Sequence, residues 1–95
     1  MKHIKFEWDA DKEQLNIQKH GVSFDKARLA FNDDHRVIAK DLTHSVFEER
    51  FYCFGEVDGG IITVRFTYRN AIIRIIGAGY WRKGRAIYET KNKIY

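Results

Sequence analysis

The chain contains no proline and a single cysteine, Cys53. One cysteine cannot close an internal disulfide, and its isolation fits a reducing compartment. No apolar run approaches the length of a membrane span, and the opening MKHIKFEWDADKE lacks the apolar stretch of a secretory leader. A cytoplasmic chain without a membrane partner is expected. The four histidines, at positions 3, 20, 35 and 44, show no ligand spacing with one another or with Cys53. There is no Walker loop, and Gly77-x-Gly79 is a fragment of a nucleotide fingerprint in the wrong strand context. Neither a metal nor a cofactor is expected. Internal repeats and low-complexity segments are also missing. The 95 residues are therefore expected to form one domain, 1–95, able to bury a core without staples.

What is present is globular in character: 44% of residues are hydrophobic and 15% aromatic, too many for a disordered chain. Charge is unevenly placed. Residues 1–60 carry 9 Lys and Arg against 12 Asp and Glu, whereas residues 61–95 carry 8 against Glu89 alone, so −3 and +7 sum to the net +4. A basic end on an acidic domain suits nucleic acid or an acidic protein, or else pairs with the acidic part of its own fold.

The patterning predicts the order β-α-α-β-β-β-β-α. Ile4 to Trp8 can open with a short strand. Asp9 reads as a helix N-cap, and Gly21 as the left-handed residue that ends the helix after His20. Ser23 starts a second helix, with Phe24, Ala27 and Phe31 on one stripe. Arg36 to Leu42 reads weakly as a strand, Thr43 to Glu49 as a turn or loop, and Arg50 to Val57 as an aromatic-rich strand. Asp58-Gly59-Gly60 is a hairpin turn signal. From Ile61 to Tyr68 apolar and polar residues alternate, and Ile72 to Ile76 continues in the same manner. If Arg69-Asn70 form the turn, Phe66 pairs with Ile73, Val64 with Ile75, and Arg65 faces Arg74, a repulsive pair that needs an anion. Tyr80 to about Asn92 turns helical. The expected fold is α+β: an antiparallel sheet of four to five strands, with two N-terminal helices and a short C-terminal helix against one face.

The candidate site is basic and suits phosphodiester chemistry without metal. In such chemistry a base takes the proton of a ribose 2′-OH, an acid protonates the leaving oxygen, and Arg or Lys stabilises charge on the phosphate oxygens. The planar fork of Arg matches those oxygens in pairs. On this basis His20, Arg69, Arg74 and Lys83 are candidate catalytic residues. Arg65, Arg82, Arg85, Lys19, Trp81 and Tyr88 are candidate RNA contacts. Each has a structural alternative. His20 can cap its helix, Arg74 can pair with Glu49 or Glu7, Arg65 can be similarly engaged, and Tyr80-Trp81 can be core rather than a base-stacking platform. Glu49 is either part of an exposed charged turn, a general base, or the group that holds an arginine. Cys53 reads as an inert core residue.

The order of these residues resembles the BrnT family of bacterial type II toxins. The resemblance runs over nearly the whole chain: Phe6-Glu7-Trp8-Asp9, Lys12, Asn16, Lys19-His20-Gly21-Val22, Phe24, Ala27 and Phe31-x-Asp33, then Glu49-Arg50 and Gly55. It continues through Val64-x-x-Thr67-x-Arg69, Arg74-Ile75-Ile76-x-Ala78 and Arg85-x-x-Tyr88. It implies a RelE-like fold and a metal-independent ribonuclease that inhibits translation. It also implies a ribbon-helix-helix, BrnA-like antitoxin, through which alone the complex meets operator DNA. The family commonly ends its last strand in Ser-Ala-Arg followed by a Glu-Arg pair, whereas this chain has Gly77-Ala78-Gly79 and Gly84-Arg85. An alternative function is a non-catalytic basic module that docks an antitoxin-like protein or nucleic acid. A third is a solitary structural domain whose arginines all find internal carboxylates.

Overall fold

The computed structural model describes residues 4–93. A two-residue strand, β1 (Phe6–Glu7), leads into helix α1 (Ala10–His20). The Asp9 carboxylate accepts the backbone N–H groups of Asp11 and Lys12 at 2.8 and 3.1 Å, satisfying two donors that the first turn leaves unpaired. At the other end Gly21 adopts φ 69° and donates its N–H to the Ile17 carbonyl, so the helix stops where the sequence indicates. Ser23 caps helix α2 (Phe24–Ala27), which tightens at once into a 3-10 segment, Arg28–Asn32. Strands β2 (Val37–Lys40), β3 (Arg50–Val57), β4 (Gly60–Arg69) and β5 (Ile72–Gly79) follow, and helix α3 (Arg82–Lys91) closes the order.

The five strands form one sheet in the order β1-β5-β4-β3-β2. It is mixed rather than antiparallel throughout, because β1 runs parallel to β5, with Phe6 beside Ile73 and Glu7 beside Arg74. A two-residue strand carries no sequence signal of its direction. The crossing of α1 and α2 over the sheet returns the chain at the far side and leaves β1 on the β5 edge.

The hairpin between β4 and β5 also departs from the expected register. Its turn is Asn70-Ala71, with φ 52° and 64°, and Arg69 pairs with Ile72. Moving the turn by one residue moves the ladder by two, so Phe66 faces Ile75 and the apolar faces still match. The expected Arg65–Arg74 repulsion does not arise: Arg74 faces Thr67, and Arg65 faces Gly77. Between Phe66–Ile75 and Arg65–Gly77 the ladder gains one residue, Ile76, as a β-bulge. The bulge changes the phase of β5. Ala78 turns to the Val64 side, while Gly77 and Gly79 line the side of Arg65 and Thr63.

One sheet face is covered by α1, α2 and the 3-10 segment. Val22, Phe24, Ala27 and Phe31 pack there on Cys53, Ile62, Val64, Phe66, Ile75 and Ala78, all buried. The stripe of α1 is thin, and its one buried residue is polar. Asn16 Nδ2 donates to the Val22 and Ala78 carbonyls at 2.8 and 2.9 Å, and its Oδ1 accepts the Ala78 N–H at 3.2 Å. Helix α3 does not join this layer. It lies on the opposite face, against Phe54 and Thr63, so helices flank the sheet on both sides rather than one. Gly84 permits the approach, since a Cβ there would collide with Thr63 Oγ1 and stand 3.0 Å from the Phe54 ring. At the far end of α3 the Tyr88 hydroxyl donates to Asp33 Oδ2 at 2.6 Å and ties the helix to the 3-10 segment.

Candidate functional site

The face that α3 only partly covers forms a cleft of about 550 Å³. Its floor is Tyr52 and Phe54 of β3 with Thr63 and Arg65 of β4. Ala39 and Lys40 of β2 and His44 of the following loop make one wall, and Trp81, Lys83 and Ile87 make the other. Strand alternation explains the floor. Cys53 and Val64 point into the core, so Tyr52 and Arg65, one residue away and paired with each other, must point the other way. Opposite Arg65 stands Gly77, and the Arg65 chain lies 3.8 Å from where a Cβ of Gly77 would be.

The lining carries three cations and no carboxylate. Among the described residues, neither Arg65 nor Lys83 has a carboxylate oxygen within ion-pair distance, whereas Lys40 lies 3.8 Å from Glu49. Trp81 occupies the space at Gly79: a Cβ on Gly79 would stand 2.5 Å from the indole Cε2. The indole thus fills the volume that the strand-ending arginine of the resemblance would need. Its ring meets His20, the last residue of α1, edge to face at 5.1 Å. His20 is exposed and lies outside the cleft lining, which it meets through the Trp81 ring.

The other residues singled out by sequence are placed elsewhere. Arg74 is on the same sheet face but donates to Glu7 at 2.9 Å, one of the two alternatives left open for it. Arg69 sits beyond it at the hairpin end, 3.4 Å from Glu48. Arg85 pairs with Glu89 one turn along α3. Lys19 and Arg82 are exposed and outside the cleft lining. Tyr88 is buried, 6% exposed, with its hydroxyl committed to Asp33, so its ring offers no stacking surface. Burial pushes the Cys53 thiol up to about 12, which agrees with an inert core residue.

Lys40, Asp41, His44 and Tyr52 were not singled out by sequence. Asp41 is 4% exposed, and it takes up both the loop and the histidine. Its Oδ1 accepts the N–H groups of Thr43 and His44, and its Oδ2 lies 2.9 Å from His44 Nδ1. Burial alone raises the Asp41 carboxyl, but the hydrogen bonds from the His44 ring and backbone outweigh it and hold the group below the usual carboxylate range. Burial first, then the neighbouring Asp41 charge, push the Tyr52 phenol up, and Arg65 opposes them. The available signal was the spacing Asp41-x-x-His44, a carboxylate that caps its own turn and meets a histidine three residues on.

Among the described residues no three His, Cys, Asp or Glu side chains gather as a metal would require, and no helix is long and apolar enough to cross a membrane. The sequence model of a family described as the ribonuclease toxin BrnT of type II toxin–antitoxin systems matches residues 8–84. The chain belongs to the BrnT family. That span runs from Trp8 to Gly84 and so takes in every residue of the cleft except Ile87. No curated protein matches the chain. Membership in BrnT makes this a ribonuclease toxin family protein and implies an antitoxin partner and an RNA substrate.

Proposed function

We propose that the chain is a metal-independent endoribonuclease that cleaves RNA in the cleft under α3 and thereby inhibits translation. The observation that carries this reading is the concentration of Arg65, Lys83 and Lys40 in one concavity whose lining holds no carboxylate. A basic hollow flanked by Tyr52 and Trp81 suits a single-stranded phosphodiester with unstacked bases. Arg65, rooted in the middle of a strand, is the group placed to bind the scissile phosphate, and its fork meets two non-bridging oxygens. Lys83, on the first turn of α3, adds charge from the facing wall. Trp81 offers its indole to a base, with the His20 ring packed against its edge. Arg69, Arg74, Arg82, Arg85 and Lys19 lie outside the cleft lining and in this reading guide the flanking backbone rather than act on the reacting phosphate.

The neutralising partner in this reading is a ribbon-helix-helix antitoxin, which alone brings the complex to operator DNA. Support comes from the loop over residues 41–49. It presents Leu42 at 83%, Val46 at 79% and Phe47 at 100% exposure, and it is the loop that carries His44 into the cleft wall. A partner that covers these side chains also closes the mouth of the site.

The test is incubation of purified, antitoxin-free protein with a mixed-sequence transcript, with and without EDTA. Cleavage that EDTA leaves unchanged and Arg65→Ala slows about 10²-fold or more is expected. Cleavage lost to EDTA contradicts the metal-free chemistry, and intact RNA contradicts the enzyme.

A further inference from the structure

Asp41 is a buried carboxylate whose position is fixed by strand pairing. Its backbone N–H donates to the Arg50 carbonyl at 2.7 Å, and it directly follows β2, between the cleft residues Lys40 and His44. One carboxylate oxygen suffices for the turn, since Oδ1 takes both the Thr43 and the His44 N–H. The second oxygen lies 2.9 Å from the imidazole Nδ1, and the Tyr52 hydroxyl also approaches the carboxylate. An ionised carboxylate can only accept, so His44 Nδ1 bears the proton of that bond. The neutral ring then presents an unprotonated Nε2, the tautomer that a carboxylate selects in proton-transfer sites. Among the described residues Nε2 has no partner, and the half-exposed ring lines the same cleft as Arg65 and Lys83.

We propose that His44 is the general base of the RNA-cleaving reaction, with Asp41 as its positioning residue; the assignment rests on the ribonuclease reading above. His44 Nε2 takes the proton of the ribose 2′-OH as that oxygen forms its bond to phosphorus. The bond from phosphorus to the 5′-oxygen breaks with its electron pair on the leaving oxygen, which takes a proton from water in the open cleft. The imidazolium then returns its proton to the hydroxide so formed. The products are a 2′,3′-cyclic phosphate and a 5′-hydroxyl, with nothing oxidised or reduced. This gives the base role to a loop histidine on the β2 side of the cleft.

The experiment uses the full chain made by cell-free synthesis, with single-turnover cleavage and RNA affinity measured on a mixed-sequence transcript. His44→Ala and His44→Gln are expected to cleave about 10²- to 10⁴-fold more slowly while RNA affinity holds within a few-fold. Added imidazole should restore part of the rate in His44→Ala and none in His44→Gln, where the side chain fills the space. Asp41→Asn, which keeps an oxygen for the turn, should lower kcat with little change in KM. Wild-type rates in both His44 variants, beside an inactive Arg65→Ala, overturn the assignment and leave the ribonuclease reading standing. Loss in His44→Ala that imidazole does not restore, while RNA affinity holds, also overturns it. A wild-type chain that leaves RNA intact overturns both.

Discussion

Asn16 and Gly79 decide, at the level of single residues, how the end of β5 is held. Asn16 is the one buried residue of α1, and three hydrogen bonds tie it to Val22 and Ala78. Replacing it with Ala leaves two carbonyls and an N–H unpaired in the interior. Asn16→Ala is expected to lose roughly 2–3 kcal/mol of stability, read as a lowered denaturant midpoint. Gly79 lies under the Trp81 indole, and an arginine there has no room while the ring stays. Gly79→Arg is therefore expected to destabilise the fold by about 1–3 kcal/mol through overpacking, and to slow cleavage by displacing Trp81. A faster Gly79→Arg enzyme would mean that Trp81 is not part of the site. The sequence showed the missing arginine but not what replaces it, because the ring two residues on comes to lie over Gly79 only once the chain turns into α3.

The elements differ in how far their sequence announced them. Caps and turns built from residues with a local preference were legible: Asp9, Gly21, Ser23 and Asp58-Gly59 stand where those preferences place them. The β4–β5 turn was displaced by one residue because it puts Ala71 at φ 64°, a conformation for which Ala carries no signal. The bulge at Ile76 was hidden as well, since an apolar residue there reads equally as ladder or as insertion. Ala71→Gly is expected to stabilise the protein by about 0.5–1 kcal/mol, relief of the left-handed strain being partly offset by the entropy of glycine. A raised thermal midpoint with unchanged cleavage checks it. The loop over residues 41–49 makes a separate prediction. If its apolar side chains are the docking surface, Phe47→Asp should weaken antitoxin binding by about 30-fold or more while RNA cleavage is retained. The readout is calorimetric titration beside the cleavage assay.

Across the whole molecule, the site exists only where elements far apart in sequence converge. Arg65, Trp81 and Lys83 could be nominated individually from the basic end, but Lys40, His44 and Tyr52 come from the acidic first 60 residues and join them through the β2-β3-β4 ladder. The sheet brings together side chains that lie in oppositely charged segments of the chain. The same layout spread the remaining nominees outward, since Arg69, Arg74 and Arg85 each meet a carboxylate. Helix α3 is held to the rest of the fold by the packing of Gly84 against Thr63, the Asn92–His35 bond and the Tyr88–Asp33 bond, and the last of these is ionisable. Burial raises Asp33, but the Tyr88 hydroxyl and the Glu56 and His35 N–H groups outweigh it and hold the carboxyl below its ordinary 3.8. A group depressed in the folded state contributes stability above its unfolded pKa and loses it as pH falls through the folded one. The denaturant midpoint should therefore drop as pH falls below about 4, and Asp33→Asn should flatten that drop while lowering stability at neutral pH.

If the cleft under α3 cleaves RNA with its own cations, the reaction needs Arg65 and no metal. The most direct measurement is cleavage of a mixed-sequence transcript by antitoxin-free protein in EDTA, comparing wild type with Arg65→Ala. Cleavage by the wild type to 2′,3′-cyclic phosphate ends is expected, with a loss of about 10²-fold or more in the variant. Equal cleavage by the two proteins, or none by the wild type, would contradict it.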